Sequence, residues 1–166
     1  MRLNRESSAL ILFAALVIIF YILPVSSERL KAGGNLRIFS REGILLRQFN
    51  SPSDGAYSIW LNVGEIPGHV KDAVLTAEDS RFYFHPGFDP LAMARAAWQN
   101  IAAMRVVSGG STITQQTARI VYADVLPRNI LLKKISEILL AIKLELHCSK
   151  DEILELYLNR VPMKFN

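Results

Sequence analysis

The uncharged run "ALILFAALVIIFYILPV", residues 9–25, constrains this chain more than anything that follows it. As a helix rising about 1.5 Å per residue it reaches about 25 Å, near the short limit for a membrane span. Arg2 and Arg5 precede it, which puts residues 1–8 in the cytoplasm and everything after the run outside it. The reading is a retained single-pass anchor over residues 9–25. A cleaved signal peptide is the rival, because Val25, Ser26 and Ser27 could form a small-residue cleavage site. With the anchor set aside, the 166-residue chain leaves enough for at most one domain.

An exported domain with one cysteine, Cys148, has no internal disulfide and is held by its core. Cys148 itself reads as a small buried hydrophobe. The net charge of +4 is uneven. Between residues 119 and 150 six bases (Arg119, Arg128, Lys133, Lys134, Lys143, Lys150) face three acids (Asp124, Glu137, Glu145). Beside a membrane, that excess suits anionic headgroups or phosphates, although a solvated helix face is the plain alternative.

Residues 26–35 are polar and carry glycines, as in a linker, and a small hairpin is expected around Glu42 and Gly43. A second extended piece is expected over residues 57–63, and residues 26–66 together form the linker and small β element. From Pro67 the pattern is helical. Asp89 before Pro90 is an N-cap, and Leu91, Ala94, Trp98 and Ile101 follow as a stripe expected to be buried. Thr112 with Gln115, and Ser149 with Glu152, are capping-box pairs. Between them an amphipathic helix from about Ile130 to His147 is expected to turn Ile135, Ile138, Ile142 and Leu146 inward. Leu139 and Leu158 are also assigned to the core. The fold class is mainly α, with a small β element near the membrane.

Four stretches could carry chemistry. Leu75, Glu78 and Phe82 share one helical stripe, which places a carboxyl against the core, where burial would favour a general base. The plain alternative is a helix-terminal carboxylate paired with Arg81 or His85. Asp79 faces another side and could brace the turn, and His85 before Pro86 and Gly87 reads as a structural hydrogen-bonder. Gly109 and Gly110 let the backbone enter a helix at an unusual angle, exposing free N–H groups that attract anions. Ser111, Thr112, Gln115 and Gln116 add groups suited to sugar hydroxyls or phosphate oxygens, and Arg119 adds charge on the same side. In "KKISE", Lys133 and Lys134 flank Glu137 at helical spacing, an arrangement suited to a diphosphate, with a bridging cation or without one. Glu155 and Asn159 lie opposite Leu154, Tyr157 and Leu158, the pattern of an ordinary amphipathic helix.

In order and spacing, "EDSRFYFHPG", "GGSTITQQTAR", "KKISE" and "KDEILELYLN" resemble the first four signature motifs of the peptidoglycan glycosyltransferases. The resemblance runs from about residue 71 to residue 162, and is strongest to the C branch of the class A penicillin-binding proteins. It implies a lysozyme-like helical transglycosylase domain over residues 67–166 that polymerises lipid II into glycan strands at the membrane. It further implies Glu78 as the base on the acceptor 4-hydroxyl, with inversion at the donor anomeric carbon, and Glu137 assisting at the donor diphosphate. The implied cofactor is a divalent cation, Mg or Mn, on Glu137, with no organic cofactor. Asp79, Phe82, His85, Gly109, Gly110, Ser111, Thr112, Gln115, Gln116 and Arg119 match the substrate cleft. Arg128, Lys133 and Lys134 match basic positions near the diphosphate, and Glu155 and Asn159 match a supporting fourth motif. The implied partners are lipid II, the lipid-linked glycan, the bacterial inner membrane and cell-wall synthesis proteins, and not nucleic acid.

Two departures stand out. Lys133 replaces the usual arginine, keeping charge but losing the bidentate fork. After "YLNRVP" the chain reads "MKFN" and ends where the family continues through a glycine-containing turn and a fifth motif. The expectation is a truncated chain that keeps the family's residues but polymerises lipid II poorly. The competing readings are an inactive membrane-anchored remnant that binds lipid diphosphate or partners, and a lysozyme-type glycan hydrolase.

Overall fold

The structure is a computed structural model and describes residues 17, 19–30, 37–48 and 60–161. Most of the expected anchor therefore lies outside the described residues, and among those described no helix is long and apolar enough to cross a membrane. The described elements are helix α1 (Ser27–Leu30), strands β1 (Arg37–Phe39) and β2 (Leu45–Gln48), and helices α2 (Gly68–Glu78), α3 (Pro90–Ala103), α4 (Ile113–Val121), α5 (Ile130–His147) and α6 (Lys150–Arg160). A 3-10 turn at Phe82–Phe84 lies between α2 and α3. The mainly helical class agrees with the reading from sequence.

The hairpin forms where the sequence puts it. β1 and β2 pair antiparallel, and Gly43 takes the left-handed conformation of the turn at φ 81°. Ser40 Oγ accepts hydrogen bonds from the N–H groups of Glu42 and Ile44, which closes the turn. Part of the expected linker is ordered structure instead. α1 occupies residues 27–30, Val25 is buried in the core, and Arg29 makes a two-pronged pair with Asp124 at 2.6 and 2.8 Å. Arg29 also donates to the carbonyl of Val121, so α1 is pinned to the end of α4. Of the second extended piece, residues 57–59 lie outside the described residues.

α4 is the centre of the core. Ile113, Ala118 and Val121 pack with Leu140, Ala141 and Leu144 of α5 and with Ile153, Leu154 and Tyr157 of α6. Its start carries the expected capping box, in which Thr112 Oγ1 accepts from Gln115 N–H and Gln115 Oε1 accepts from Thr112 N–H. The second box, at Ser149 and Glu152, opens α6. Asp89 caps α3 through the N–H groups of Leu91 and Ala92, with Pro90 at the first position. Burial opposes ionisation of Asp89, but those N–H groups and Arg81 outweigh it and hold the carboxyl below its ordinary range. Cys148 is buried as expected, and burial first, then Glu152 and Glu145, pushes its thiol up to about 11.

Two helix faces differ from the sequence reading. On α3 the whole stripe of Leu91, Ala94, Trp98 and Ile101 is exposed, with Trp98 and Ile101 each 73% accessible. The inward side is the small one, Ala92, Met93 and Ala96, because α3 packs closely against the loop before α4. A methyl group built on Gly110 would sit 2.8 Å from Met93 Cα and 3.3 Å from Ala96 Cβ. On α5 the buried face is Glu137, Leu140, Ala141 and Leu144, whereas Ile135, Leu139 and Leu146 are exposed and Ile138 and Ile142 only half-buried. The helix is rotated from the expected face because it presents Glu137 to cations on α4 and on its own preceding turn. Leu158 is half-buried against the core.

The two adjacent glycines therefore do different jobs from the one expected. Neither has a positive φ, and a methyl on Gly109 meets nothing within 4 Å. Gly110→Ala is expected to lower unfolding stability by about 1–3 kcal/mol through overpacking, and Gly109→Ala by less than about 0.5 kcal/mol. Denaturant unfolding of both variants checks this, and equal losses would contradict the packing argument.

Candidate active site

The loop at residues 109–112 and the first turns of α4 hold the sequence-predicted site together. Its base is the buried pair of Asp79 and His85. Asp79 Oδ2 accepts from the N–H of Ile113 at 3.0 Å, and both Asp79 oxygens lie 3.0–3.1 Å from His85 Nε2. Thr112 Oγ1 donates to the carbonyl of Gly87 at 2.7 Å. Gly87, at φ 92°, lies against the α5 backbone, where an added methyl would come 3.0 Å from Ala141 carbonyl atoms. A carboxylate at the first N–H groups of α4 also complements the positive end of the helix dipole. Asp79 thus braces the turn, and His85 is the structural hydrogen-bonder expected from the sequence. Phe82 is 1% exposed and belongs to the core, with Lys150 Nζ 4.5 Å from its ring centroid. Asp79, Phe82, His85, Thr112 and Gln115 all lie beneath the surface.

Glu78 is the last residue of α2 and is exposed, so the expectation of a core-facing carboxyl does not hold. Helix α2 ends at Glu78, and it is Asp79 that turns inward. The alternative pairing with Arg81 or His85 is not what forms. Arg81 faces Asp89 at 3.5 Å and His85 faces Asp79, while Glu78 Oε2 accepts from Gln116 Nε2 at 3.0 Å. A polar cleft of about 160 Å³ opens beside it, lined by Glu78, Ser80, Arg81, Arg95, Gly109 and Ser111 among others.

Glu137 is the buried acid, with its side chain 3% exposed. Arg119, one helical step after Gln116 on α4, donates from Nε to Oε1 at 2.6 Å and from its terminal nitrogen to Oε2 at 3.1 Å. Lys134 Nζ lies 3.3 Å from Oε2, and also reaches Ser111 Oγ at 2.6 Å and Gln115 Oε1 at 3.2 Å. Burial works to push the Glu137 carboxyl up, but the Arg119 hydrogen bonds and charge, helped by Lys134, outweigh it and hold the carboxyl below the usual glutamate range. The expected lysine pair divides. Lys134 joins the cluster through its i, i+3 spacing, whereas the described salt bridges to Glu137 do not include Lys133. Lys133 is half-buried and Arg128 exposed.

Both Glu137 oxygens already receive cationic donors, and no group of three His, Cys, Asp or Glu side chains among the described residues could hold a metal. In this arrangement the residues do not fit a divalent cation on Glu137.

Glu155 and Asn159 hold residues 60–63. Glu155 accepts from Trp60 Nε1 and Val63 N–H, each at 2.8 Å. Asn159 exchanges two 2.8 Å hydrogen bonds with the backbone of Leu61. Lys71 Nζ donates to the carbonyl of Val63, which ties the strap to α2 and so to Glu78. Sequence reasoning missed Trp60, Lys71, Arg95 and Tyr157. None sits at a spacing that signals a site: Trp60, Lys71 and Tyr157 meet partners on other elements, and Arg95 reaches the cleft only through the packing of α3 against the loop.

The Arg119–Glu137 pair yields a pH-dependent prediction. A carboxyl held low in the folded state contributes stability that is present above its unfolded value and lost as pH falls through the folded one. Breaking a buried pair costs about 3–5 kcal/mol, and the partial exposure of Arg119 reduces this to about 1–3 kcal/mol for Glu137→Gln at neutral pH. The deficit should shrink as pH falls below the ordinary carboxylate range, as followed by denaturant unfolding. A deficit constant with pH would show that the pair carries no such linkage.

Comparison with known proteins agrees with this architecture. Residues 42–166 match the family described as Transglycosylase. The chain is 45% identical over 138 residues to penicillin-binding protein 1A of Aquifex aeolicus, covering 83% of this chain and 17% of that protein. It is 40% identical over 130 residues to penicillin-binding protein 1A of Vibrio cholerae, covering 78% and 15%. With penicillin-binding protein 1C of Escherichia coli it shares 39% identity over 125 residues, covering 75% and 16%. The chain thus spans about a sixth of the length of these relatives. The match across most of the chain, with identities of 39–45%, means that it belongs to the transglycosylase family that includes penicillin-binding proteins 1A and 1C.

Proposed function

We propose that this chain provides the lipid II-polymerising site of a peptidoglycan glycosyltransferase, with Glu78 as general base on the acceptor 4-hydroxyl and inversion at the donor anomeric carbon. The observation that carries the reading is the division of labour on α4. Gln116 holds an accessible carboxylate, Glu78, at the cleft, and one turn later Arg119, joined by Lys134 of α5, concentrates positive charge on Glu137. Glu78 has solvent access and a hydrogen-bonded orientation, as a group that takes a proton from an incoming hydroxyl needs. Lys134, Arg119, Lys133 and Arg128 supply the charge that a departing lipid diphosphate requires. Lipid II and the lipid-linked glycan are the proposed substrates. The proposed location is the outer side of a bacterial cytoplasmic membrane, held there by residues 9–25.

The geometry favours transfer over hydrolysis. A lysozyme-type mechanism needs a carboxylic acid that gives up a proton and a second carboxylate free to act. Glu137 is held as a carboxylate by two cations and is a poor proton donor. A leaving diphosphate, by contrast, departs without a strong acid. Glu137 is then the group that fixes Arg119 and Lys134 at the diphosphate, with no step assigned to a metal.

The test is lipid II polymerisation by the detergent-solubilised protein. Glu78→Gln is expected to lower the rate by about 10²–10⁴-fold while lipid II binding persists. Polymerisation within tenfold of the unmodified protein would remove Glu78 as the base. Cleavage of polymerised glycan without use of lipid II would instead favour the hydrolase.

A further inference from the structure

Tyr157 lies on the buried face of α6, 4% exposed, and would pass for a core aromatic. Its hydroxyl nevertheless has a partner, since Tyr157 Oη donates to Gln116 Oε1 at 3.3 Å. The other end of the same amide donates to Glu78 Oε2 at 3.0 Å. We propose that Tyr157 is a positioning residue that sets the direction of the Gln116 side-chain amide and thereby holds the Glu78 carboxylate at the cleft. Its catalytic consequence rests on the glycosyltransferase reading above, whereas its structural content does not.

The argument is one of hydrogen-bond direction. A carboxylate only accepts, so Gln116 must turn its NH₂ toward Glu78. The carbonyl oxygen then faces the opposite way, into a region already occupied by α6, and needs a donor. Tyr157 supplies it. Burial first, and then the Glu78 charge, raises the phenol above its ordinary value, so the hydroxyl remains a donor throughout the neutral range. Without that hydroxyl the two ends of the amide are no longer distinguished from behind. A flipped Gln116 would aim its oxygen at the Glu78 carboxylate and push it away. α6 thus acts on Glu78 by two routes: through Tyr157 and Gln116, and through Glu155 and the strap at residues 60–63 that Lys71 joins to α2.

The conservative variant is Tyr157→Phe, which keeps the buried ring and removes only the donor. The first readout needs no activity. In the solubilised full chain, the side-chain NH₂ signals of isotope-labelled Gln116 should be displaced from those of a free glutamine and protected from exchange, and Tyr157→Phe should move them back toward free-glutamine positions and exchange rates. Incorporating 4-aminophenylalanine at position 157, which restores a donor, should return the displaced, protected signals. It also serves as the comparison if the phenylalanine variant is poorly folded. Unchanged Gln116 signals in Tyr157→Phe would overturn the proposal. The second readout is turnover. Tyr157→Phe is expected to lower kcat by about three- to tenfold, the range of one net hydrogen bond, with KM changed by less than about twofold. In a Gln116→Ala background the same change should cost nothing further, since the hydroxyl acts through that amide. Additive losses would overturn the proposal, because a residue that merely packs loses the same amount in either background. If the unmodified chain does not use lipid II at all, the glycosyltransferase reading fails and the Gln116 signals alone decide the role of Tyr157.

Discussion

The arrangement depends on the hydrogen bond from the N–H of Ile113 to Asp79. It joins the turn after α2 to the start of α4 and lies in the interior, with His85 on the other side of the carboxylate. A buried carboxylate is costly unless its oxygens are satisfied, and a helix N-terminus is one of the few places that satisfies it. Because Asp79 is fixed inward, the preceding residue Glu78 ends its helix facing outward. Because Ile113 is fixed, Gln116 and Arg119 emerge one and two turns later on the side that meets Glu78 and Glu137. One buried contact therefore orders two carboxylates that are far apart in sequence.

The two acids end in opposite environments. Glu78 is accessible and held by a neutral amide, whereas Glu137 is enclosed and held by two cations. Neighbouring carboxyls with different surroundings take different roles, and it is the surroundings more than the residue type that assign them. The surrounding elements act mainly to hold these positions. Lys150 joins Glu145 and the carbonyl of His85, Thr114 also donates to Glu145, and Gly110 lets α3 lie against the loop.

Local signals in the sequence were good guides where a feature is closed within a few residues. The capping boxes at Thr112 and Ser149, the Asp89–Pro90 helix start and the turn at Gly43 all form as read. Apolar periodicity does not mark burial on two of the helix faces. Trp98 and Ile101 form a regular stripe yet stay exposed, since α3 approaches through its smallest side chains and a glycine. On α5 a carboxylate takes an inward position that periodicity assigned to isoleucine, because Arg119 meets it there. Glu78 and Asp79 were exchanged in burial for a related reason. The two are adjacent, and only the tertiary partner Ile113 N–H decides which one turns inward. The motif segments meet around α4, but Tyr157, Trp60 and Lys71 act across elements and leave no mark at local spacing.

The central claim is that α4 joins an accessible base to a cationic diphosphate site. A crystal structure of the protein with a non-reactive lipid-linked disaccharide diphosphate tests it most directly. The account predicts the diphosphate against Lys134 and Arg119, with the anomeric carbon turned toward the cleft that Glu78 lines. A diphosphate held elsewhere, with the Arg119–Glu137–Lys134 cluster closed and Glu78 facing no sugar, would contradict it.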